Sequence, residues 1–198
     1  TILWELSLEK LAQGPILAPG TEEVAFADFK FPTPSGKIQL LSQEAKDRWN
    51  LDPLPTFSEP EESVKRESQE SKRYPLYLMT PNTKNRIHSQ FNNLELIRQF
   101  SKKPLLDMNP EDALKRNIKS GDHVKVFNGR GSLEIEVRID FGIKSGCVSI
   151  TNGWWISEGG TVNFLSKGRE TDMAYGAAYH DTLVDVKIIK TTKSTKVI

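Results

Sequence analysis

Apolar and polar positions alternate along the second half of the chain, and their spacing changes from segment to segment. Val124, Val126, Leu133, Ile135 and Val137 recur every second residue across His123 to Phe127 and Ser132 to Ile139. Such a period predicts two half-buried strands, and Asn128-Gly129-Arg130-Gly131 between them carries a strong hairpin-turn signal. Tyr74 to Thr80, Pro104 to Met108, Cys147 to Ile150 and Leu183 to Ile189 are short apolar runs that also predict strands. Asn93 to Phe100 places Leu94, Ile97 and Phe100 on one helical face. Asn109-Pro110-Glu111-Asp112 is a helix start, with a capping Asn, Pro in the first turn and two acids at the positive end of the dipole. That helix is expected to run to about Asn117.

The first half reads differently. Ile2 to Leu11 has rough helical spacing, ended by Gly14-Pro15, and Glu44 to Asn50 predicts one or two helical turns. Between them, Gly20 to Phe31 alternates and Lys37 to Leu41 is apolar, so a hairpin is expected around Pro32-Thr33-Pro34-Ser35-Gly36. From Ser58 to Arg73 the chain is rich in Glu, Lys and Ser, a composition that predicts a solvated connector. The expected organisation is an N-terminal α+β extension over residues 1–57, a charged linker over 58–73, a main domain over 74–190, and a flexible tail over 191–198. Many short strands with small helices make the main domain a mainly-β barrel.

At 198 residues the chain is long enough to bury a core without disulfides or metal. A formal net charge of +1 gives no basic field for nucleic acid. One Cys rules out an internal disulfide, and three scattered His supply no zinc-ligand spacing. Cys147 sits in an apolar run and reads as a buried thiol rather than a nucleophile. The start at Thr1 and the absence of a visible signal peptide lead us to expect a fragment.

The candidate chemistry lies after the first barrel strand. Thr80, Asn82, Thr83, Arg86, Ile87, His88, Ser89 and Gln90 form one segment dense in amides, hydroxyls, a guanidinium and an imidazole. Amides and hydroxyls both donate and accept, as a heteroaromatic edge requires, while Arg and His suit a pyrophosphate. An exposed loop without a ligand would carry more Lys, Glu and Asp. The segment predicts a binding loop, not a self-contained catalytic site. Arg130 lies in a hairpin turn without the strand–loop–helix context of a phosphate loop. Trp154 and Trp155 could stack on a planar ligand or plug the barrel, and because adjacent residues point in different directions only one of them can readily be core.

In this order along the chain, four segments resemble the C-terminal part of the catalytic subunit of molybdopterin oxidoreductases of the dimethyl sulfoxide reductase family. They are Phe31 to Leu40; Arg86-Ile87-His88-Ser89-Gln90 with Asn92-Asn93; Met108 to Ala113 with Gly121 to Val126; and Gly160 to Leu165 with Thr171-Asp172 and Tyr179 to Val184. The resemblance implies a double-psi β-barrel, the molybdopterin dinucleotide-binding domain, from about Tyr74 onward, with residues 1–57 the tail of the preceding domain. It implies a molybdenum ion, or tungsten, held by two molybdopterin guanine dinucleotides. It maps cofactor contacts onto Thr80 to Gln90, Asn163 and His180, and a substrate funnel onto Trp154 and Trp155. On this reading Arg86 and His88 balance phosphate or pterin charge, and Asn82, Ser89, Gln90 and Asn163 orient the rings.

The family's metal ligand and iron–sulfur cysteines lie in earlier domains, so this chain is expected to complete a cofactor site without catalysing alone. Implied partners are the rest of its own catalytic subunit, an iron–sulfur electron-transfer subunit and a membrane anchor subunit. The implied whole is an anaerobic oxidoreductase, periplasmic and membrane-associated or cytoplasmic, moving an oxygen atom or two electrons. The Arg-x-His-Ser form of the loop looks most like the sulfoxide, N-oxide and polysulfide or thiosulfate branch. The reading of another class is a free-standing double-psi barrel that binds a protein partner; it predicts an exposed apolar patch and leaves the 86–90 loop unexplained.

Overall fold

The computed structural model describes residues 7–171, 173, 175–178 and 180–189. The chain divides into two compact units, Thr1–Thr56 and Phe57–Ile198.

In the first unit Ser7 and Ser42 each accept a hydrogen bond from the backbone N–H three residues on. These caps start α1 (Leu8–Gln13) and α2 (Gln43–Trp49), and Asn50 closes α2 in a left-handed conformation at φ 53°. Residues 2–6 of the expected first helix lie outside the described residues. The expected hairpin does not form. Residues 20–31 and 37–41 contain no strand, and Phe26 and Phe29 sit at φ 56° and 57°, which no extended segment allows. The turn itself is present, with the Phe31 N–H bonded to the Gly36 carbonyl at 3.2 Å. The alternation failed as a signal because nothing covers it: Val24, Phe29, Ile38 and Leu40 are all exposed. Among the described residues of this unit only Ala45 is buried.

The second unit is built on a closed barrel of six strands in the order β1-β5-β2-β4-β3-β6. The strands are β1 (Leu76–Met79), β2 (Leu105–Met108), β3 (His123–Phe127), β4 (Ser132–Ile139), β5 (Cys147–Ser149) and β6 (Leu183–Ile188). Two parallel pairs, β1 with β5 (Leu78 opposite Val148) and β2 with β4 (Leu106 opposite Val137), are set among antiparallel ones. This is the double-psi β-barrel. Its inward residues follow the period of two seen in the sequence. Leu76, Leu78, Leu106, Met108, Val124, Val126, Ile135, Val137, Val148, Val184 and Val186 are each no more than 3% exposed. The expected β3–β4 hairpin forms, with the Asn128 side chain accepting from the N–H groups of Arg130 and Gly131 at its tip.

Three short helices accompany the barrel: α3 (Gln69–Arg73), α4 (Glu95–Phe100) and α5 (Pro110–Leu114). Asn109 caps α5 as expected, but the helix stops earlier than Asn117, which turns at φ 55°. Asp112 then accepts from the Gly146 N–H at 2.6 Å and the Ser145 hydroxyl at 3.2 Å, fixing the turn into β5. The apolar face expected on α4 stays largely uncovered, with Leu94 and Phe100 exposed.

The segment read as a solvated linker, 58–73, is exposed along most of its length, but part of it is docked. Glu62 and Ser63 are 6% and 1% exposed. Glu62 takes the Arg130 guanidinium on both oxygens, at 2.6 and 3.0 Å, and accepts the Leu183 N–H at 2.9 Å. Ser63 bonds the Tyr77 hydroxyl at 2.7 Å, and Ser68 and Ser71 cap α3 reciprocally. Residues 59–66 are a strap docked on the barrel by long-range polar bonds, which a composition rule does not register. The expected tail, 191–198, lies outside the described residues.

Candidate functional site

Because β1 and β5 run parallel as neighbours, the loops that leave them emerge at the same end of the barrel. Backbone bonds join the two exits: the Ile150 N–H to the Met79 carbonyl and the Asn152 N–H to the Pro81 carbonyl, both at 3.0 Å. The Asn152 side chain adds bonds to the Thr80 carbonyl (3.2 Å) and the Asn82 amide oxygen (2.7 Å). A cavity of about 340 Å³ opens here. Leu78 and Thr80 line it from β1 and its exit, and His88 and Ser89 from the following loop. Asn152, Gly153 and Trp154 come from the loop after β5, while Asn163, Ser166 and Arg169 come from the passage before β6.

His88 has φ 50°, and its carbonyl lies against Gly153, itself at φ +81°. A Cβ at Gly153 would overlap that carbonyl, so the close approach of the two loops requires glycine here. Beneath the loop lies Arg86, only 5% exposed. It donates to the carbonyls of Gly153 (3.2 Å) and Asn152 (3.3 Å), and its guanidinium stacks 3.9 Å from the Trp154 ring centroid. Burial lowers the Arg86 pKa, against the opposing charge of Glu158. Its two terminal nitrogens are engaged inside the protein, where they tie the first loop to the second, while its buried Nε has no hydrogen-bond partner among the described residues.

Of the sequence-derived candidates, Thr80, His88, Ser89, Asn163 and Trp154 share the cavity. His180 joins them through the Thr80 N–H, which donates to its Nδ1 at 3.4 Å. Asn82 is held by Asn152 at the edge, and Thr83 lies half-buried under the loop. Ile87 and Gln90 pair with each other through the backbone and are exposed, outside the cavity lining. The two tryptophans divide as their opposed directions required: Trp154 is 7% exposed and packs inward, while Trp155 is 49% exposed and donates to the Ser89 carbonyl at 3.2 Å.

Sequence reasoning missed Asn152, Thr161, Ser166, Arg169 and Thr182, all in the lining. Both Asn152 and the stretch 161–182 lie in a passage without periodicity to place its side chains. Arg169 pairs with Glu61 of the strap, as does Lys167 at 3.2 Å, and these bonds hold the Glu61 carboxyl below its usual range.

The donor set defines what the cavity can take. Among the described residues no carboxylate lines it, in a chain with 26 acidic residues. The lining offers hydroxyls from Thr80, Ser89, Thr161 and Ser166, amides from Asn152 and Asn163, an imidazole and one guanidinium. Asn152 uses both amide hydrogens on protein oxygens, which leaves its Oδ1 buried and unpartnered. An orphaned acceptor beside neutral donors and a cation suits a ligand with ring N–H groups and an anionic end. The volume is at the lower end of small-molecule sites and holds part of a large cofactor, not the whole.

Comparison with known proteins follows the same line. Residues 76–183 match the family model described as "Molydopterin dinucleotide binding domain". Dimethyl sulfoxide reductase DmsA of Escherichia coli is 34% identical over 171 residues, covering 78% of this chain and 21% of that protein. DmsA of Haemophilus influenzae is 31% identical over 220 residues, covering 93% of this chain and 27% of that protein. The chain therefore spans between about a fifth and a quarter of these relatives' length. Among solved structures, acetylene hydratase from Pelobacter acetylenicus superposes with a TM-score of 0.72 over 92% of this chain and 28% of that one, at 19% identity, a likeness of fold.

Proposed function

The chain belongs to the molydopterin dinucleotide binding domain family, and we propose that the cavity at the β1–β5 exit holds part of a molybdopterin guanine dinucleotide. The observation that carries this is a lining that, among the described residues, has no carboxylate and offers amides, hydroxyls and one guanidinium around the orphaned Asn152 Oδ1. Asn152, Asn163 and Ser89 would hold a ring edge by hydrogen bonds, and Thr80 and His88 would close the side nearest β1. When bound, this group supplies a metal centre at which an oxygen atom or two electrons are moved.

The protein's share is orientation. Arg86 fixes the 86–90 loop on Trp154, Gly153 lets the His88 carbonyl approach, and Asn152 bridges both loops to Thr80. A buried positioning cation held this way leaves the anion-facing work to groups at the cavity surface.

In the whole protein, this domain would cap the cofactor of an anaerobic molybdenum oxidoreductase, and tungsten is compatible with the same donors. Its metal ligand, and an iron–sulfur cluster if it carries one, would come from the rest of the catalytic subunit, so the 198-residue chain alone would not catalyse. An iron–sulfur electron-transfer subunit and a membrane anchor subunit are the partners this reading extends to, with a periplasmic, membrane-associated or cytoplasmic setting.

The test is a titration of the isotopically labelled chain with guanosine diphosphate. The backbone amides of Thr80, Ser89, Gly153 and Asn163 are expected to shift together with one affinity. Saturable binding that leaves those four amides unmoved would overturn the assignment.

A further inference from the structure

Two loops supply neighbouring walls of the cavity, His88 and Ser89 from 86–92 and Gly153 and Trp154 from 152–158. They are joined by Glu158, a half-buried carboxylate that is not itself in the lining. Its Oε1 accepts the side-chain amide of Asn92, 66 positions away, and its Oε2 accepts the Trp155 N–H at 2.9 Å. The Trp155 indole in turn donates to the Ser89 carbonyl at 3.2 Å. Asn92 is 2% exposed and is held from α4, where the Arg98 Nε donates to its carbonyl at 3.0 Å. A closed circuit of bonds therefore runs from Glu158 through Asn92 and the first loop to Ser89, and back through Trp155.

We propose that Glu158 is a positioning residue of this site: it latches the two loops together and so holds Ser89 and Gly153 at the spacing a ligand meets. The effect on binding rests on the reading of the cavity as a cofactor site. Three observations carry it. Both carboxylate oxygens are engaged, one by each loop, and hydrogen bonds to an ionised acceptor are the strong ones. The first loop would relax without a restraint, because His88 and Phe91 stand in left-handed backbone at φ 50° and 71°, which side-chain-bearing residues keep only where their surroundings hold them. The same carboxylate also serves Arg86, 5% exposed beneath that loop, since its negative charge favours the ionised guanidinium against burial. One side chain outside the cavity thus sets the geometry of two of its walls.

The experiment titrates the full 198-residue chain with guanosine diphosphate by calorimetry, in the parent, E158A, E158Q, N92A and E158A/N92A, and follows amide hydrogen exchange of each without ligand. E158A removes both acceptors and N92A the donor that crosses between the loops. Each is expected to bind about tenfold more weakly, the scale of one lost charge-assisted bond. The double variant should bind no more weakly than the worse single one, because the latch is broken only once. E158Q keeps an acceptor for Trp155 and offers its amide to the Asn92 Oδ1, which is buried without a hydrogen-bond partner among the described residues. It should therefore stay within about threefold of the parent, the scale of a screened charge. In E158A and N92A the amides of 86–92 and 152–158 should exchange faster while those of β1 and β5 stay protected. A side chain serving stability alone would lower Tm and leave affinity unmoved. If E158A binds as tightly as the parent, or its loop amides exchange at the parent's rates, the proposal is overturned while the cofactor reading stands. If the parent binds no guanosine diphosphate, the cofactor reading falls and the positioning role toward it falls too. If N92A, a buried change, does not fold, E158A against E158Q decides.

Discussion

Replacing Glu62 by alanine tests whether the strap is part of the barrel. In the native chain its carboxylate meets two nitrogens of Arg130 and the Leu183 N–H, and the residue is 6% exposed. Alanine removes the partner of a largely buried guanidinium and orphans a backbone N–H whose residue is 1% exposed. Breaking a buried pair from one side costs roughly 3–5 kcal/mol, and an unsatisfied buried donor about 1–3 kcal/mol more. Arg130 softens this, because its side chain is 25% exposed, its Nε keeps the Leu165 carbonyl and Glu70 lies 4.0 Å away. We therefore expect a loss of about 3 kcal/mol, at the low end of the buried-pair range. In a domain of this size that lowers Tm by roughly 10 °C. Glu62→Gln keeps an acceptor for Leu183 while removing the charge, so it should cost clearly less. Urea unfolding followed by tryptophan fluorescence gives both values. A cost below about 1 kcal/mol for E62A, the range of an exposed pair, would mean that 58–73 is the solvated connector its composition suggests.

Three further outcomes follow from the geometry. Gly153→Ala should destabilise by at least about 2 kcal/mol, from left-handed strain and overlap with the His88 carbonyl, and should perturb amide shifts across 86–90 in NMR spectra. Arg86→Lys should cost about 2 kcal/mol in urea unfolding, because a point-charge ammonium replaces neither the fork onto Asn152 and Gly153 nor the stack on Trp154. Asp181 is raised above the usual carboxylate value of 3.8, first by burial and then by Glu62 and Glu61. The folded chain therefore holds this proton more tightly than the unfolded chain, and stability falls as pH rises from the usual value through the folded one. Asp181→Asn should unfold at higher temperature than the parent at neutral pH and at the same temperature below the usual value, as measured by Tm against pH.

The barrel was legible because its strands carry their evidence locally. Val124 and Val126, or Leu133, Ile135 and Val137, alternate in sequence and face one core. The same period misled at Gly20 to Phe31, since alternation states only that one face is apolar. A strand also needs a neighbour, and nothing along those residues encodes one. The strap errs in the opposite sense: residues 58–73 carry almost no apolar side chains, so burial is not expected there. Glu62 is buried through Arg130, 68 positions away, and the Leu183 N–H, 121 positions away. Separations of that size are fixed by topology and leave no mark on local composition.

Much the same distinction separates what could be read of the site from what could not. The density of donors after β1 pointed to a loop of interest, and Thr80, His88 and Ser89 from it do line the cavity. Type alone could not say which cation faces inward. Arg86 and Arg169 are the same residue chemically, yet one donates to two carbonyls over a buried indole and the other reaches across an exposed pair to Glu61. The difference arises because the loop after β5 passes directly under Arg86 and places Trp154 there, a consequence of the parallel β1–β5 register. If that register shifted, the loop after β5 would be carried along β1 and Trp154 would no longer sit against Arg86. The guanidinium at 86 would then lose its stack, and the cavity would lose the wall that Trp154 now provides. Trp154→Ala in an otherwise intact barrel isolates that wall: Arg86 should loosen and the 86–90 amides exchange faster, while the strand amides of β1 and β5 remain protected.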